Sequence, residues 1–375
     1  MLFRSSWTEY SFFHFFTFSL CALRDGLGGL PMKEKSERLY GFDNLKFVLI
    51  FLVVLGHFLE ISEAFEGSEL LLRTIYSFHM PAFLFLTGYF AKFRPKKIAL
   101  QFGYTYLLFQ VLYLLFAYRF LGGEELTISF SFPYWLMWYL FATIVFYLLL
   151  PLLDVSGPWK KAAVLLITVI AALFSGNDPY LGYALSGARI VSFLPFFVLG
   201  FYCGKHKKIP LSDKKPAVRI AVGAAFTAAV LGSCAYLYFH EELTVFTMYG
   251  SLSYERGNYG MWDRALLMLF ALLWIGFFMT ALLPLLNRKL PILSGIGKNT
   301  FGIFLLHGFI VKYIGYYRRP VALNSLPTVL LATAAVIAIC GNPLTAWVFR
   351  RCLTGEWIER LLAKKKNKEE CHTGS

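Results

Sequence analysis

Apolar segments long enough to cross a lipid bilayer recur along most of the chain, and they limit its possible folds more than any other feature. Because a bilayer core is roughly 30 Å thick, a crossing takes about 20 helical residues. The pattern therefore predicts an all-α, polytopic integral membrane protein with about ten transmembrane helices. The segments lie at about residues 44–62, 72–91, 98–118, 133–153, 160–175, 188–204, 217–239, 264–286, 299–317 and 321–349.

Composition supports a membrane protein and argues against several other classes. Only 15% of the residues are charged, whereas a soluble domain has about 25%. The net charge of +14 comes from short basic clusters between apolar runs, so we do not expect a nucleic-acid partner. The six cysteines form no CxxC pair, and their spacing indicates neither a disulfide framework nor a metal site.

The charges of the loops predict how the helices are oriented. Lys and Arg concentrate in cytoplasmic loops, and here basic clusters fill every second loop. Both termini are therefore predicted to be cytoplasmic, although the last outward loop, with Lys312, Arg318 and Arg319, departs from the rule. The basic clusters contain Lys92, Arg94, Lys96, Lys97, Lys160, Lys161, Lys205, Lys207, Lys208, Lys214, Lys215, Arg219, Arg288, Lys289, Lys298, Arg350 and Arg351.

Three regions follow from this pattern. Residues 36–352 form the predicted ten-helix transmembrane domain, and residues 353–375 form a basic cytoplasmic tail. Residues 1–35 are predicted to be an extension outside the core, because their apolar run at 12–23 is too short to span a bilayer. No convincing signal-peptidase cleavage site follows that run.

The first predicted span carries two ionisable residues on one face. Lys46 and His57 are eleven residues apart, which is about 1100° of helical rotation and about 16 Å along the axis. An ammonium at the helix mouth suits the phosphates of a long donor, and an imidazole deeper in the membrane suits a general base. Alternatively, Lys46 only reaches towards the interface, and His57 makes a packing hydrogen bond. Glu60, one turn further, either orients His57 or is solvated.

Two more histidines fall inside predicted spans. His79, in the second span, lies about 10 Å from that span's outer end, at a depth similar to that of His57, and Pro81 follows it. These two histidines could face one cavity, or His79 could be a hydrogen-bonded histidine in a kinked packing helix. His307 is the third intramembrane histidine, and we consider it a candidate for substrate binding.

Residues at the outer ends of the spans are candidates for binding an acceptor. Arg189 and Arg264 either bind an anionic acceptor or anchor the ends of their helices. Trp138 belongs to an aromatic cluster that fits an interfacial belt or a platform for a sugar; the cluster is Tyr134, Trp135, Trp138 and Tyr139. The absence of a Gly-rich phosphate loop, HExxH and GxSxG argues against nucleotide, zinc-protease and serine-hydrolase chemistry.

Four motifs in order resemble acyltransferase family 3, and most closely its subgroup of fucose 4-O-acetylases and related acetyltransferases. This resemblance covers about residues 40–350. Members are membrane enzymes with ten-helix cores that O-acylate cell-surface sugars. The motifs are FDNLKFVLIFLVVLGHF, SFHMPAFLFLTGYF, ARIVSFLPFFVLGFYCGK and GKNTFGIFLLH.

The resemblance implies the chemistry. It makes acetyl-CoA the donor substrate with no permanently bound cofactor or metal, His57 the catalytic base and Lys46 a contact to the CoA phosphates. His79 would lie by the same cavity. The acceptor would be a sugar or lipid-linked glycan, and the location a bacterial plasma membrane. Many members have arginine where this chain has Lys46, and lysine lacks the bidentate fork of arginine.

A polytopic transporter or flippase is the main alternative, because intramembrane histidines and a lysine also build proton relays. Transporters often contain internal repeats, and we find none in this sequence. Saturable binding of acetyl-CoA that depends on Lys46 would separate the two functions. A structural membrane scaffold is a further alternative, but it would not explain why Lys46 and His57 share one helix face.

Overall fold

The computed structural model describes residues 40–123, 128–205, 210–317, 322–355 and 357–358, and these form helices joined by turns, without a β-strand. The predicted all-α class is therefore confirmed. Ten main helices follow one another: α1 Tyr40–Ile61, α2 Ser68–Tyr89, α3 Pro95–Phe120, α4 Met137–Leu153, α5 Pro158–Phe174, α6 Gly187–Gly204, α7 Pro216–Phe239, α8 Met261–Leu286, α9 Thr300–Tyr317 and α10 Leu326–Gly341.

Within the described residues, seven helices are long and apolar enough to cross a membrane: α1, α2, α3, α5 together with its continuation to Asn177, α6, α7 and α8. An eighth span results if α10 is joined to Pro343–Leu353, which continues it at a bend of 47°. Helix α4 is apolar but has only 17 residues. The prediction of ten spans thus stays a prediction, as do the cytoplasmic termini. The predicted extension at 1–35 and most of the predicted tail lie outside the described residues.

Glycines let α2 and α6 approach at backbone distance. Gly200 and Gly204 of α6 lie against the backbone of Phe85 and Tyr89, and Gly88 of α2 lies against the backbone of α6. In a bilayer the lipid tails are as apolar as the side chains, so close packing of small residues holds helices together where the hydrophobic effect does not. A side chain at any of the three positions would collide with backbone atoms.

Helix α1 lies in the interior of the bundle, and a polar anchor fixes its first turn. Asn44 is fully buried and donates hydrogen bonds to the carbonyl oxygens of Leu286, at 2.7 Å, and Arg288, at 2.9 Å. Its amide oxygen accepts a bond of 2.7 Å from the Ser294 hydroxyl. These bonds tie the start of α1 to the segment after α8, and so they set the position of Lys46 two residues later.

Candidate active site

A histidine–carboxylate pair lies on the buried face of α1. The side chains of His57 and Glu60 are only 10% and 20% exposed, and His57 Nδ1 is 2.7 Å from Glu60 Oε2. A carboxylate can only accept here, so the proton of a neutral imidazole is on Nδ1. The lone pair is then on Nε2, which is the arrangement that a general base requires.

Two tyrosines hold the carboxylate of Glu60 in place. Tyr249, in the loop before α8, donates its hydroxyl proton to Glu60 Oε1 at 2.5 Å. Burial and the neighbouring Glu60 raise the pKa of Tyr249, so this phenol stays protonated and remains a donor. The Tyr76 hydroxyl, from α2, lies 3.0 Å from His57 Nδ1 and also bonds to Glu60. The imidazole is therefore fixed in both orientation and tautomer.

His79 and His307 adjoin this pair. The rings of His307 and His57 stack with centroids 5.7 Å apart, and the His79 ring lies 4.6 Å from that of Tyr76. Each of these two histidines donates its Nδ1 proton to a carbonyl one turn back in its own helix, at 2.9 Å. His307 Nε2 is buried and has no partner in the part of the chain that the structure describes.

Trp135 closes one side of the centre and has an uncommon backbone conformation. Its ring centroid is 4.8 Å from that of His57, and its φ of 39° lies in the left-handed region. A bulky residue there costs about 1–3 kcal/mol. Gln110 of α3 clamps the preceding loop, because its amide bonds to the carbonyls of Ser129 and Phe132 and to the backbone NH of Tyr134.

An apolar cavity of about 280 Å³ extends from Lys46 towards this centre. Lys46 lies at one end, 30% exposed, 3.8 Å from Asp43 and 4.7 Å from the centroid of the Phe90 ring. Helices α1, α2, α4 and α9 contribute most of the walls. The lining residues are Lys46, Val53, Met80, Phe83, Leu86, Thr87, Phe90, Phe102, Tyr139, Leu140, Thr143, Tyr147, Thr300, Phe301 and Phe304.

The direction of the cavity follows from the helices that line it. On α1 it reaches Val53, one turn before His57, and on α9 it reaches Phe304, less than one turn before His307. The lining therefore ends beside the histidines. We call this half of the site, from Lys46 to Val53, the Lys46 side, and the half beyond His57 the Glu60 side.

Of the residues that the structure describes, two cations lie on the Glu60 side. Arg189, near the start of α6, donates from Nε to the Tyr249 carbonyl at 3.2 Å, and its guanidinium lies 5.1 Å from the Trp138 ring centroid. Lys312 of α9 places its ammonium 4.4 Å from the Trp135 ring centroid. Trp138 and Arg189 thus lie together, as they would have to if both bind the acceptor.

Arg264 lies among different neighbours. It is buried, and it donates to the Ala172 carbonyl at 3.0 Å, to the Ser175 hydroxyl at 2.8 Å and to the Leu252 carbonyl at 3.2 Å. It also bonds to the Tyr259 hydroxyl. These contacts join the end of α5 to the loop before α8, as expected of an anchor. Its role in substrate binding remains a prediction.

Several residues of this centre could not be assigned from the sequence. Nothing in the sequence distinguishes Tyr76 and Tyr249, because tyrosines are common in membrane proteins. Lys312 could have been noticed, because it departs from the rule that Lys and Arg concentrate in cytoplasmic loops. Among the described residues, no group of three His, Cys, Asp or Glu side chains is arranged to hold a metal ion.

The helices and the buried His57–Glu60 pair define a polytopic membrane protein with a candidate site beside the end of an apolar cavity. The sequence model that describes acyltransferase family 3, an acyltransferase domain, matches residues 39–344. The chain belongs to this family and is a membrane acyltransferase, so a transporter is not favoured. Comparisons with curated proteins and with solved structures find no match.

Proposed function

We propose that the protein transfers an acetyl group from acetyl-CoA to a hydroxyl of a cell-surface or lipid-linked sugar, as in the fucose 4-O-acetylase subgroup that its motifs resemble. The observation that carries this proposal is the position of the His57–Glu60 pair at the end of a cavity that starts at Lys46. The donor and the base are then on one line through the bundle.

The cavity suits the donor in shape and in charge. Its walls are aliphatic and aromatic apart from a few hydroxyls, which fits the thin pantetheine arm of CoA. Lys46 is partly exposed at the mouth, where an ammonium can pair with the phosphates as a point charge. With the phosphates at Lys46, the arm points towards His57 and carries the thioester to it.

The reaction is a single acyl transfer in which His57 moves one proton. His57 Nε2 takes the proton of the acceptor hydroxyl while the oxygen attacks the thioester carbonyl carbon. The bond between that carbon and sulfur then breaks, and the imidazolium returns the proton to the CoA thiolate. Glu60 stabilises the imidazolium through Nδ1, and the Tyr249 and Tyr76 hydroxyls keep the carboxylate in position.

The proposal includes a topology of ten spans with both termini in the cytoplasm of a bacterial cell. Lys46 then faces cytoplasmic acetyl-CoA, while Glu60 and the two cations beside it face the outer surface. The basic clusters in every second loop support this orientation. The product would accordingly be part of the cell envelope.

The test is a substitution of the base with a matched control. We expect His57→Ala to lower acetyl transfer to surface glycans by about 100-fold or more, measured by mass spectrometry of the glycans and by release of CoA from purified protein. His240→Ala is the control, because that histidine lies in the loop after α7 and bonds to the Tyr236 carbonyl. Wild-type transfer by the correctly inserted His57→Ala protein would refute the proposal.

A further inference from the structure

Two half-buried cations on the Glu60 side have no carboxylate of their own. Lys312 and Arg189 are both partly buried, and neither forms an ion pair within the described residues. A cation withdrawn from water is costly unless an anion or hydrogen bonds compensate it. The Trp135 and Trp138 rings and the Tyr249 carbonyl supply only part of that compensation.

Glu60, the one nearby carboxylate in the part of the chain that the structure describes, is already engaged. Glu60 accepts hydrogen bonds from His57 on one oxygen and from Tyr249 on the other, and Tyr76 bonds to it as well. Among the described residues, this side of the site therefore has two cations and a single carboxylate, which is directed at the base. The charge balance leaves room for one more negative group.

Each of the two cations contacts a residue that in turn contacts His57 or Glu60. Lys312 lies over the Trp135 ring, which is also next to His57. Arg189 is bonded to the backbone of Tyr249, whose hydroxyl reaches Glu60. An anion held by these two cations would therefore lie beside the residues that contact His57 and Glu60.

Two segments beside this pair are held in strained backbone conformations. Trp135 has a φ of 39°, and Leu185 and Ser186, just before Arg189, have φ values of 49° and 54°. Non-glycine residues persist in this region where the surrounding structure enforces it, and such positions concentrate at ligand clamps and active sites. Strain in both segments is independent of the charges and indicates the same surface.

We propose that Lys312 and Arg189 together bind a carboxylate or phosphate group of the acceptor, which makes the acceptor an acidic sugar. The two sources of this charge are a uronic acid and a sugar phosphate. The inference rests on the proposed function and adds the chemical class of its second substrate. It also gives Lys312 a role that its departure from the loop-charge rule leaves unexplained.

The experiment uses the full chain in lipid nanodiscs and three soluble probes: methyl glucuronide, glucose 1-phosphate and methyl glucoside. Binding of each probe is measured by saturation-transfer NMR titration, and transfer is measured with radiolabelled acetyl-CoA. We expect at least one acidic probe to bind about tenfold more tightly than methyl glucoside, and to lose this advantage as the salt concentration rises. Whichever acidic probe is preferred identifies the source of the charge.

Variants test whether the two cations produce this preference. Lys312→Gln and Arg189→Gln should each reduce it to less than about threefold, whereas Lys312→Arg should retain it. Arg119→Gln is the matched control, since Arg119 lies over the Phe120 ring on an exposed part of α3, and it should leave the preference unchanged.

Equal binding of all three probes by the wild type would overturn the inference, and so would an unchanged preference in both Gln variants. Acetyl-CoA binding is measured in parallel, because it tests the proposed function separately. A protein that binds acetyl-CoA but does not prefer acidic sugars would refute this inference alone. A protein that does not bind acetyl-CoA would refute the proposed function, whatever its sugar preference.

Discussion

The Lys46 side and the Glu60 side of the site meet at His57 and are built in opposite ways. On the Lys46 side, apolar walls enclose about 280 Å³ of open space with a single cation at its end. On the Glu60 side, the imidazole contacts Glu60, Tyr76 and Trp135, and Tyr249 bonds to Glu60. One side has room for a flexible chain, and the other holds the reacting group in a fixed orientation.

This difference shows how one helix can serve two substrates. Along α1, Lys46 and Val53 line the cavity, and His57 and Glu60 follow beyond its end. Apolar walls cost little to leave open in a bilayer, because they need no hydrogen-bond partners. Polar groups at this depth must be paired, so the Glu60 side is densely connected. Substitutions on the two sides should therefore have separable kinetic effects.

The largest effect should come from the Glu60 side. Glu60→Gln removes the negative charge that fixes the Nδ1 proton of His57, so we expect kcat to fall by about 100-fold or more. The KM for acetyl-CoA should change little, because the Lys46 side is intact. The measurement is steady-state release of CoA. Glu63→Gln is the control, since Glu63 is exposed three residues further on; an equal loss in both variants would contradict the role of Glu60.

Filling the cavity should produce the opposite kinetic pattern. Thr143 lines the Lys46 side, and Thr143→Leu adds volume there at a cost of about 1–3 kcal/mol. We expect the KM for acetyl-CoA to rise by about tenfold or more, with the acceptor KM unchanged. Thr143→Val has nearly the original shape and should behave as the wild type. If the two variants behave alike, the cavity is not the donor site.

The contribution of Lys46 should be smaller, because this side chain is partly exposed and solvent screens its charge. We expect Lys46→Gln to raise the KM for acetyl-CoA by about fivefold, and Lys46→Arg to restore it. The decisive comparison uses S-acetyl-pantetheine, which lacks the nucleotide phosphates. With that donor, Lys46→Gln and the wild type should have the same KM. A defect that persists would mean that Lys46 acts on something other than phosphate.

The smallest effect should come from the clamp behind Trp135. Gln110→Leu leaves the backbone groups of the 129–134 loop without their buried partner, and each such loss weakens the loop. We expect the acceptor KM to rise by about threefold while the KM for acetyl-CoA stays constant. Thermal unfolding measured in parallel separates a loosened loop from a destabilised bundle. A change in the KM for acetyl-CoA alone would mean that Gln110 acts on the Lys46 side, and it would contradict this prediction.

Much of the architecture could be predicted from the sequence because a bilayer imposes strong rules. Apolar length alone marked segments that correspond to each of the ten main helices. Which of them cross the membrane is a different question, because α4 is short and α10 continues through a bend. Helical geometry also put Lys46 and His57 on one face, and both contribute to the site on that face of α1.

The sequence by itself thus determined the class of protein, the helices and the candidate base, since length, periodicity and charge are local properties. Only the tertiary structure decided which side chains surround His57. Tyr249 and Lys312 lie far from it in the chain, yet Tyr249 bonds to Glu60 and Lys312 lies over Trp135, two residues beside His57. No local pattern encodes the packing that brings them there. The structure likewise separated Arg264 from Arg189, two helix-end arginines alike in sequence, because burial and hydrogen-bond partners are set by the fold.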